Sequence, residues 1–175
     1  AIEVLTLAGY GNGSLKLDDI KSVYFVGAGG IGMSALVRYF LARGCKVGGY
    51  DRTSTDLTSA LIKEGAKIGF EDDIDKVDAC FKDSASTLVV YTPAIPADNH
   101  ILRWFNIRCF DVQKRAQVLG TLTRSLDGLC VAGTHGKTTT SSMIAHILDG
   151  TPEGCNAFLG GILKNIGSNL MISNK

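Results

Sequence analysis

A chain of 175 residues can form one domain with a hydrophobic core, or one domain and part of a second. Its composition of 45% apolar and 20% charged residues is that of a folded globular protein and argues against a disordered chain. The net charge is +1, and no stretch approaches the roughly 20 apolar residues needed to span a bilayer. We therefore expect neither nucleic acid nor a membrane as a partner.

The five cysteines are widely spaced and include no CxxC pair, which argues against a structural zinc site. An odd number of cysteines fits a reducing compartment, so we predict a cytoplasmic protein whose cysteines are small core side chains. Residues 1–16 contain the linker-like string GNGS. We interpret them as an N-terminal arm or as residues added for expression, and assign them no function.

β-Rich runs alternate with amphipathic segments through residues 17–123. Apolar residues spaced by about 3.6 positions indicate the helices, and Gly44 is predicted to end the first of them. The predicted strands are residues 22–26, 46–50, 67–70, 87–91 and 108–110, and the predicted helices are 31–42, 55–64, 98–105 and 113–123. This alternation predicts an α/β domain, a Rossmann-like parallel sheet with helices on both faces.

A first glycine-rich loop, residues 27–32 (GAGGIG), lies between the first predicted strand and helix. In a GxGxxG pattern, Gly27 permits a tight turn, Gly29 lets the backbone approach a pyrophosphate, and Gly32 allows close packing of helix on strand. Asp51 follows the second strand, where an acid accepts hydrogen bonds from a ribose. The pattern predicts a site for a ribosyl diphosphate. NAD is the default ligand on this pattern alone, and a UDP-sugar offers the same two groups.

A second glycine-rich loop, residues 133–140 (GTHGKTTT), precedes a predicted helix at 138–148. It departs from the strict GxxxxGK[ST] pattern, because Val131 stands at the first glycine position. Lys137 would contact the β- and γ-phosphates of ATP, the Thr138 hydroxyl would bind Mg²⁺, and backbone N–H groups would hold phosphate oxygens.

A predicted strand at 126–132 leads into this second loop. Because a P-loop sheet needs several more strands, residues 124–175 are predicted to be the start of a P-loop ATPase domain. No serine, histidine and aspartate pattern typical of a hydrolase is present. His135 is expected to make local hydrogen bonds rather than to take part in catalysis.

The two loops, in this order and at this separation, resemble those of the Mur ligases of bacterial cell-wall synthesis. Residues 26–34 (VGAGGIGMS) and 132–140 (AGTHGKTTT) are specific as a pair, although either string alone would be far less so. Residues 91–96 (YTPAIP) and 158–162 (FLGGI) resemble further motifs of the family. The resemblance covers most of the chain.

The resemblance implies that the Rossmann-like domain binds UDP-N-acetylmuramate rather than NAD, and that the next domain binds ATP and Mg²⁺. Within the family, the similarity is closest to the activity that joins L-alanine to UDP-N-acetylmuramate through an acyl phosphate, in the bacterial cytoplasm. The residues implied for the UDP-sugar are Gly29, Gly30, Ile31, Gly32, Asp51, Thr92, Ala94 and Ile95. Those implied for ATP are Gly133, Thr134, His135, Gly136, Lys137, Thr138 and Thr139. Lys137 and Thr138 are the implied catalytic residues, and Thr138 is the implied Mg²⁺ ligand.

The family's downstream Mg²⁺ carboxylate, its later histidine and asparagine motifs and its C-terminal amino-acid-binding domain have no counterpart here. We therefore expect a fragment that binds the UDP-sugar and does not ligate by itself. Separated from the rest of its sheet, the second unit should expose apolar surface around Leu129, Val131, Ile144 and Ile147. Such exposure predicts local disorder there, or a homodimer formed through that face.

Three other interpretations remain open at this point. An NAD(P)-binding domain of an oxidoreductase explains the first loop and leaves the second as coincidence. A P-loop nucleotide switch or regulatory module explains only the second loop. A related ligase that recycles muropeptides by adding a peptide to the same UDP-sugar shares the predicted fold, although the GGIGMS string argues against it.

Overall fold

The computed structural model describes residues 19–124, 128–152, 154–164 and 166–173. A five-stranded parallel sheet with helices on both faces is followed by a longer helix and a two-stranded antiparallel hairpin. The sheet contains β1 (Ser22–Val26), β2 (Lys46–Tyr50), β3 (Lys67–Gly69), β4 (Thr87–Tyr91) and β5 (Asp111–Lys114). Its helices are α1 (Ile31–Ala42), α2 (Asp56–Lys63), α3 (His100–Ile107) and α4 (Arg115–Arg124). The second part contains α5 (Lys137–Asp149), β6 (Ala157–Leu163) and β7 (Ser168–Met171).

The strand order is β3-β2-β1-β4-β5, and every neighbouring pair is parallel. Side chains alternate between the two faces of central β1, as the pleat of a strand requires. Val23 and Phe25 pack with α1, α2 and α4, whereas Tyr24 and Val26 pack with α3. Because both faces are covered, β1 is an uninterrupted buried run. The predicted Rossmann-like sheet is confirmed.

The ends of the first two helices follow from local chemistry. Gly44 has a φ of +78° and its N–H donates to the Leu41 carbonyl, so it ends α1 as predicted, one residue after the C-cap. Thr55 caps α2 in a reciprocal arrangement with Thr58, in which each side chain accepts the backbone N–H of the other.

The predicted strand at residues 108–110 is wrong. Arg108 is the C-cap of α3, and Cys109 adopts a left-handed φ of +56°, so the chain turns there and cannot run extended. The fifth strand lies three residues later and pairs with β4, with Leu88 opposite Asp111. Its sequence, DVQK, lacks an apolar run because β5 is a half-buried strand at the edge of the sheet.

The predicted strand at 126–132 is also wrong for its described residues, since 128–132 form no strand. No described strand lies beside this segment to complete a ladder. Leu129 is 72% exposed and Ile147 is 67% exposed, as expected for apolar residues without a covering sheet. Val131 and Ile144 are half-buried, so the predicted exposure is partial. Dimerisation through this face stays a prediction.

The β6–β7 hairpin, which we did not predict, packs against α1 of the sheet domain. The rings of Tyr39 and Phe158 lie 5.4 Å apart, and Leu170 is buried in the same core as α1. The hairpin therefore joins the second part of the chain to the first through apolar contacts.

All five cysteines are free thiols. Cys45 and Cys80 are partly buried against the two cores, and Cys155 is half-buried. Cys109 and Cys130 are exposed, so the prediction that the cysteines are core side chains is wrong for these two.

Gly49 provides a test of packing in the sheet. A Cβ atom there would lie 2.8 Å from the Phe25 carbonyl oxygen and 3.0 Å from the Ala28 Cβ. The Phe25 carbonyl belongs to the backbone of β1, which cannot shift without a cost in free energy. We expect Gly49→Ala to lower the free energy of unfolding by about 1–3 kcal/mol, as overpacked cores do. Gly69→Ala on β3 is the control, because nothing lies within 4 Å of its added Cβ. Equal urea midpoints for the two variants would contradict the expectation.

Candidate functional site

The carboxyl ends of β1 and β4 form a crevice. These strands are neighbours, but the helices that follow them pack on opposite faces of the sheet, which defines a topological switch point. The loops that follow the two strands meet there. Gly27 has a φ of +91°, and a Cβ atom on it would lie 2.8 Å from Thr92 Cγ2 and 3.2 Å from Ile95 Cδ1. The structure thus places the predicted residues Thr92 and Ile95 against the start of the first glycine-rich loop, with Ala94 exposed beside them.

Asp51 holds the glycine-rich loop in place. Its Oδ2 accepts the Gly29 N–H at 2.6 Å, and its Oδ1 accepts the Thr53 N–H at 3.1 Å. A Cβ atom at Gly29 would lie 2.8 Å from both Asp51 Oδ2 and Thr58 Cγ2, so only glycine fits this contact. Each carboxylate oxygen can accept a further hydrogen bond, and a ribose contact for Asp51 stays a prediction.

Two buried tyrosines lie on the strands that lead to this edge, Tyr24 on β1 and Tyr50 on β2. Burial raises the pKa of both hydroxyls above the ordinary value, and the negative charge of Asp72 acts in the same direction. Both side chains therefore stay neutral at physiological pH and bring no negative charge to the crevice.

The N-terminus of α1 is open to solvent in front of the crevice. The Gly30 carbonyl accepts the N–H groups of Met33 and Ser34, both at 2.9 Å, and closes the first turn. The N–H groups of Gly30, Ile31 and Gly32 have no hydrogen-bond acceptor among the described residues. No atom lies within 3.7 Å of a Cβ placed at Gly30, the nearest being Met33 Cγ at 3.8 Å. Free amides at a helix N-terminus suit an anion.

Arg115, the first residue of α4, lies beside this turn and was not predicted as a site residue. A Cβ atom at Gly32 would lie 2.6 Å from its Nη1 and 3.0 Å from its Cζ, so the guanidinium rests against the glycine. The two residues are far apart in sequence and share no motif. Only the parallel pairing of β5 with β4 brings them together.

The second glycine-rich loop leads directly into α5. Gly136, at a φ of +76°, is the N-cap of that helix, a conformation that glycine adopts without strain. The Lys137 ammonium donates to the carbonyl oxygens of Gly133 and Thr134, at 2.6 and 3.3 Å. The whole loop, including His135, is exposed. The lysine is thus folded over its own loop, whose backbone faces solvent.

Thr138 lies against the β6–β7 hairpin. Cβ atoms at Gly160 and Gly161 would lie 3.3 Å from its Oγ1 and Cγ2 respectively, so this glycine pair leaves room for the threonine. A cleft of about 450 Å³ opens between α5 and the hairpin, and Thr138 and Thr139 line it. Within the described residues, no cluster of three or more histidine, cysteine, aspartate or glutamate side chains is arranged to hold a metal ion.

Asn169 of the hairpin connects the two parts of the molecule through a fully buried side chain. Its Nδ2 donates to the Ile31 carbonyl and to Ser34 Oγ, the latter at 3.0 Å, and its Oδ1 accepts from Arg38 Nη1 at 2.8 Å. Arg38 also forms a two-pronged ion pair with Glu64. The apolar residues on either side of the string at 164–167 were the sequence signal for the hairpin, but nothing local pointed to the role of Asn169.

The doubly wound sheet, the glycine-rich loop at its switch point and the second glycine-rich loop at a helix N-terminus define an α/β protein of the Rossmann-like class with a P-loop-like segment. The family model described as "Mur ligase family, catalytic domain" matches residues 22–126. The chain belongs to the Mur ligase family.

Two curated relatives are both named UDP-N-acetylmuramate–L-alanine ligase. The protein of Parabacteroides distasonis is 60% identical over 159 residues, covering 91% of this chain and 34% of that protein. The protein of Porphyromonas gingivalis is 52% identical over 156 residues, covering 89% and 34%. The chain thus spans about a third of the length of these relatives.

Two solved structures share the fold. UDP-N-acetylmuramate–alanine ligase from Thermotoga maritima matches with a TM-score of 0.75 and 33% identity, covering 87% of this chain and 35% of that one. UDP-N-acetylmuramate:L-alanyl-γ-D-glutamyl-meso-diaminopimelate ligase from Neisseria meningitides also has a TM-score of 0.75, at 25% identity, covering 86% and 46%. These relatives are ligases, so the oxidoreductase interpretation gains no support. No helix among the described residues is long and apolar enough to cross a bilayer.

Proposed function

We propose that this chain supplies the UDP-sugar-binding domain and the ATP-binding loop of a cytoplasmic ligase that joins L-alanine to UDP-N-acetylmuramate in peptidoglycan synthesis. The observation that carries the proposal is the 60% identity to a relative of that name along 91% of the chain. The L-alanine activity is favoured over the peptide-adding one, because the solved alanine ligase is 33% identical and the peptide ligase 25%.

The crevice between β1 and β4 supports binding of the UDP group. The unpaired N–H groups of Gly30, Ile31 and Gly32 would donate to the diphosphate. Asp51 would accept a hydrogen bond from the uridine side while holding the loop through Gly29. Thr92, Ala94 and Ile95 would line the opposite wall.

The second glycine-rich loop contains the kinds of groups that bind ATP and Mg²⁺. The N–H groups of residues 133–136 have no hydrogen-bond acceptor among the described residues, and they precede α5, whose N-terminal dipole favours phosphate. His135 and Thr139 would lie beside the nucleotide. The Thr138 hydroxyl is a hard oxygen ligand in the first turn, and Mg²⁺ typically takes one or two protein oxygens, with phosphates and waters completing its shell. Mg²⁺ would neutralise phosphate charge when bound.

The reaction requires a carboxylate and a phosphoryl group to be held together. The lactyl carboxylate would attack the γ-phosphate of ATP, releasing ADP and giving an acyl phosphate. The amine of L-alanine would then attack the acyl carbon and displace phosphate, forming the amide bond. Lys137 would leave the carbonyls of Gly133 and Thr134 and donate to the phosphates, stabilising charge in the transition state. Holding both substrates on one chain provides proximity. The chain alone is expected to bind and not to ligate.

Calorimetric titration with UDP-N-acetylmuramate, and with NADH and ATP–Mg²⁺ in parallel, tests the proposal. Saturable binding of the UDP-sugar and of ATP–Mg²⁺, with no response to NADH, is the expected result. Tight NADH binding without a UDP-sugar response would overturn the assignment of the first loop. Formation of an alanine-containing product by this chain would show that the expected lack of activity is wrong.

Gly30→Val should abolish UDP-sugar binding, with an increase of about 100-fold or more in Kd, because the side chain would occupy the space through which the diphosphate approaches the backbone. No atom lies within 3.7 Å of a Cβ at Gly30, so the melting temperature should stay near that of the parent chain. The control is Gly69→Val on β3, where nothing lies within 4 Å of an added Cβ. If Gly30→Val bound the UDP-sugar with unchanged affinity, the diphosphate could not bind at this loop.

A further inference from the structure

Arg115 is held where it can reach the open end of α1. It begins α4 immediately after β5, at the same edge of the sheet as the loops that follow β1 and β4. Its Nη1, Cζ and Nε would lie 2.6, 3.0 and 3.3 Å from a Cβ at Gly32, so the guanidinium covers that residue. Gly32 is therefore required for contact with a cation as well as for packing of the helix.

Arg115 carries a charge that has no partner within the part of the chain that the structure describes. Arg115 is half-buried, yet no carboxylate or carbonyl among the described residues forms a hydrogen bond or ion pair with it. The contrast with Arg38 is direct, because that guanidinium is engaged by Glu64 and Asn169. Asp51, the acid of the glycine-rich loop, accepts from backbone N–H groups instead. A partly desolvated cation without a counter-charge attracts an anionic ligand.

The unused cation and the unused amides lie together. The free N–H groups of Ile31 and Gly32 begin the helix against which the guanidinium rests. A guanidinium presents paired donors in one plane and binds phosphate oxygens through two hydrogen bonds, whereas backbone amides donate singly. A diphosphate has enough oxygens to engage both groups at once.

We propose that Arg115 binds the diphosphate of the nucleotide-sugar and selects nucleoside diphosphates over the uncharged nucleoside. This inference rests on the proposed function, since it assigns a residue to the same crevice. The α1 amides position one phosphate, and Arg115 closes over the diphosphate from α4, linking β5 to a site otherwise built from the ends of β1, β2 and β4.

The test compares Arg115→Met, which keeps the apolar stem and removes the charge, with the parent chain. Affinities for UDP-N-acetylmuramate, UDP and uridine are measured by calorimetry at low and high salt. We expect Arg115→Met to weaken both diphosphates about tenfold or more and to leave uridine unchanged. The salt dependence of diphosphate binding should become shallower, because one screened charge pair is lost. Arg115→Lys should recover part of the affinity.

Two further variants separate binding from folding. Gly32→Ala keeps Arg115 but displaces its guanidinium, and should also weaken the diphosphates selectively. Arg43→Met makes the same charge change at the C-cap of α1, about 18 Å along the helix axis from Ile31. It should have no effect on the affinity for the diphosphates. Thermal unfolding of each variant shows whether the fold is kept.

The outcomes distinguish this inference from the proposed function. Parent-like diphosphate affinity of Arg115→Met, or an equal loss for all three ligands, would overturn the role of Arg115 while leaving the UDP-sugar assignment standing. A parent chain that binds neither UDP nor UDP-N-acetylmuramate would overturn both.

Discussion

Lys137→Ala is expected to weaken ATP–Mg²⁺ binding by roughly 10- to 100-fold. The Lys137 ammonium already sits over the loop, donating to the carbonyls of Gly133 and Thr134, and needs only to rotate toward a bound phosphate. Charge-assisted hydrogen bonds of this kind contribute about 1.5–3 kcal/mol each, which corresponds to that range. The measurement is calorimetric titration of ATP in the presence of Mg²⁺.

The Lys137 result is interpreted against Lys63→Ala, which removes the same charge from the last turn of α2 in the sheet domain. That variant should bind ATP–Mg²⁺ as the parent does. UDP-sugar affinity should be unchanged in both variants, because neither residue lies in the crevice between β1 and β4. If Lys137→Ala bound ATP–Mg²⁺ as tightly as Lys63→Ala does, the second loop would not be the phosphate site.

Asn169→Leu should detach the β6–β7 hairpin from α1, at a cost of about 2–4 kcal/mol. The substitution removes hydrogen bonds to the Ile31 carbonyl, Ser34 and Arg38, of which the one between Asn169 and Ser34 joins two fully buried side chains. Each buried partner left unsatisfied costs about 1–3 kcal/mol, and a charged partner such as Arg38 costs more. Hydrogen exchange should show faster exchange of the hairpin amides, while β1 and β4 remain protected.

Asn169→Asp sharpens the same test. Its carboxylate can still accept from Arg38, but it cannot donate to the Ile31 carbonyl and faces that oxygen with a negative charge, so the hairpin should again be released. Asn156→Ala is the control, since this asparagine is exposed and its Oδ1 accepts the Ser173 N–H within the hairpin region, with no hydrogen bond to α1 among the described residues. Parent-like hairpin exchange in both Asn169 variants would show that the apolar contact of Tyr39 with Phe158 suffices for docking.

The β6–β7 hairpin contacts residues of both glycine-rich loops. The hairpin contacts Thr138 in the second loop through Gly160 and Gly161, and contacts Ile31 in the first turn of α1 through Asn169. Both glycine-rich loops were predicted from their local sequences. The connection between them was not predicted, because its hydrogen bonds join residues that are separated by 138 and by 135 positions in the sequence.

Elements with strong local chemistry were predictable. The buried strand β1, the 3.6-residue period of α1 and the left-handed Gly44 each follow from neighbouring residues, and the structure reproduces them. The two glycine-rich strings were sufficient to indicate the family. In these segments the physical cause lies within a few residues of its effect.

The remaining features of the fold and site depend on packing between residues that are far apart in the sequence. The polar strand β5 exists because β4 offers an open edge, and residues 128–132 form no strand because no described strand lies beside them. Arg115 reaches Gly32, and Asn169 reaches α1, only through the order of strands and the docking of the hairpin. A strand or an interface is stabilised by partners distant in sequence, so periodicity and motif, which describe only near neighbours, cannot locate it.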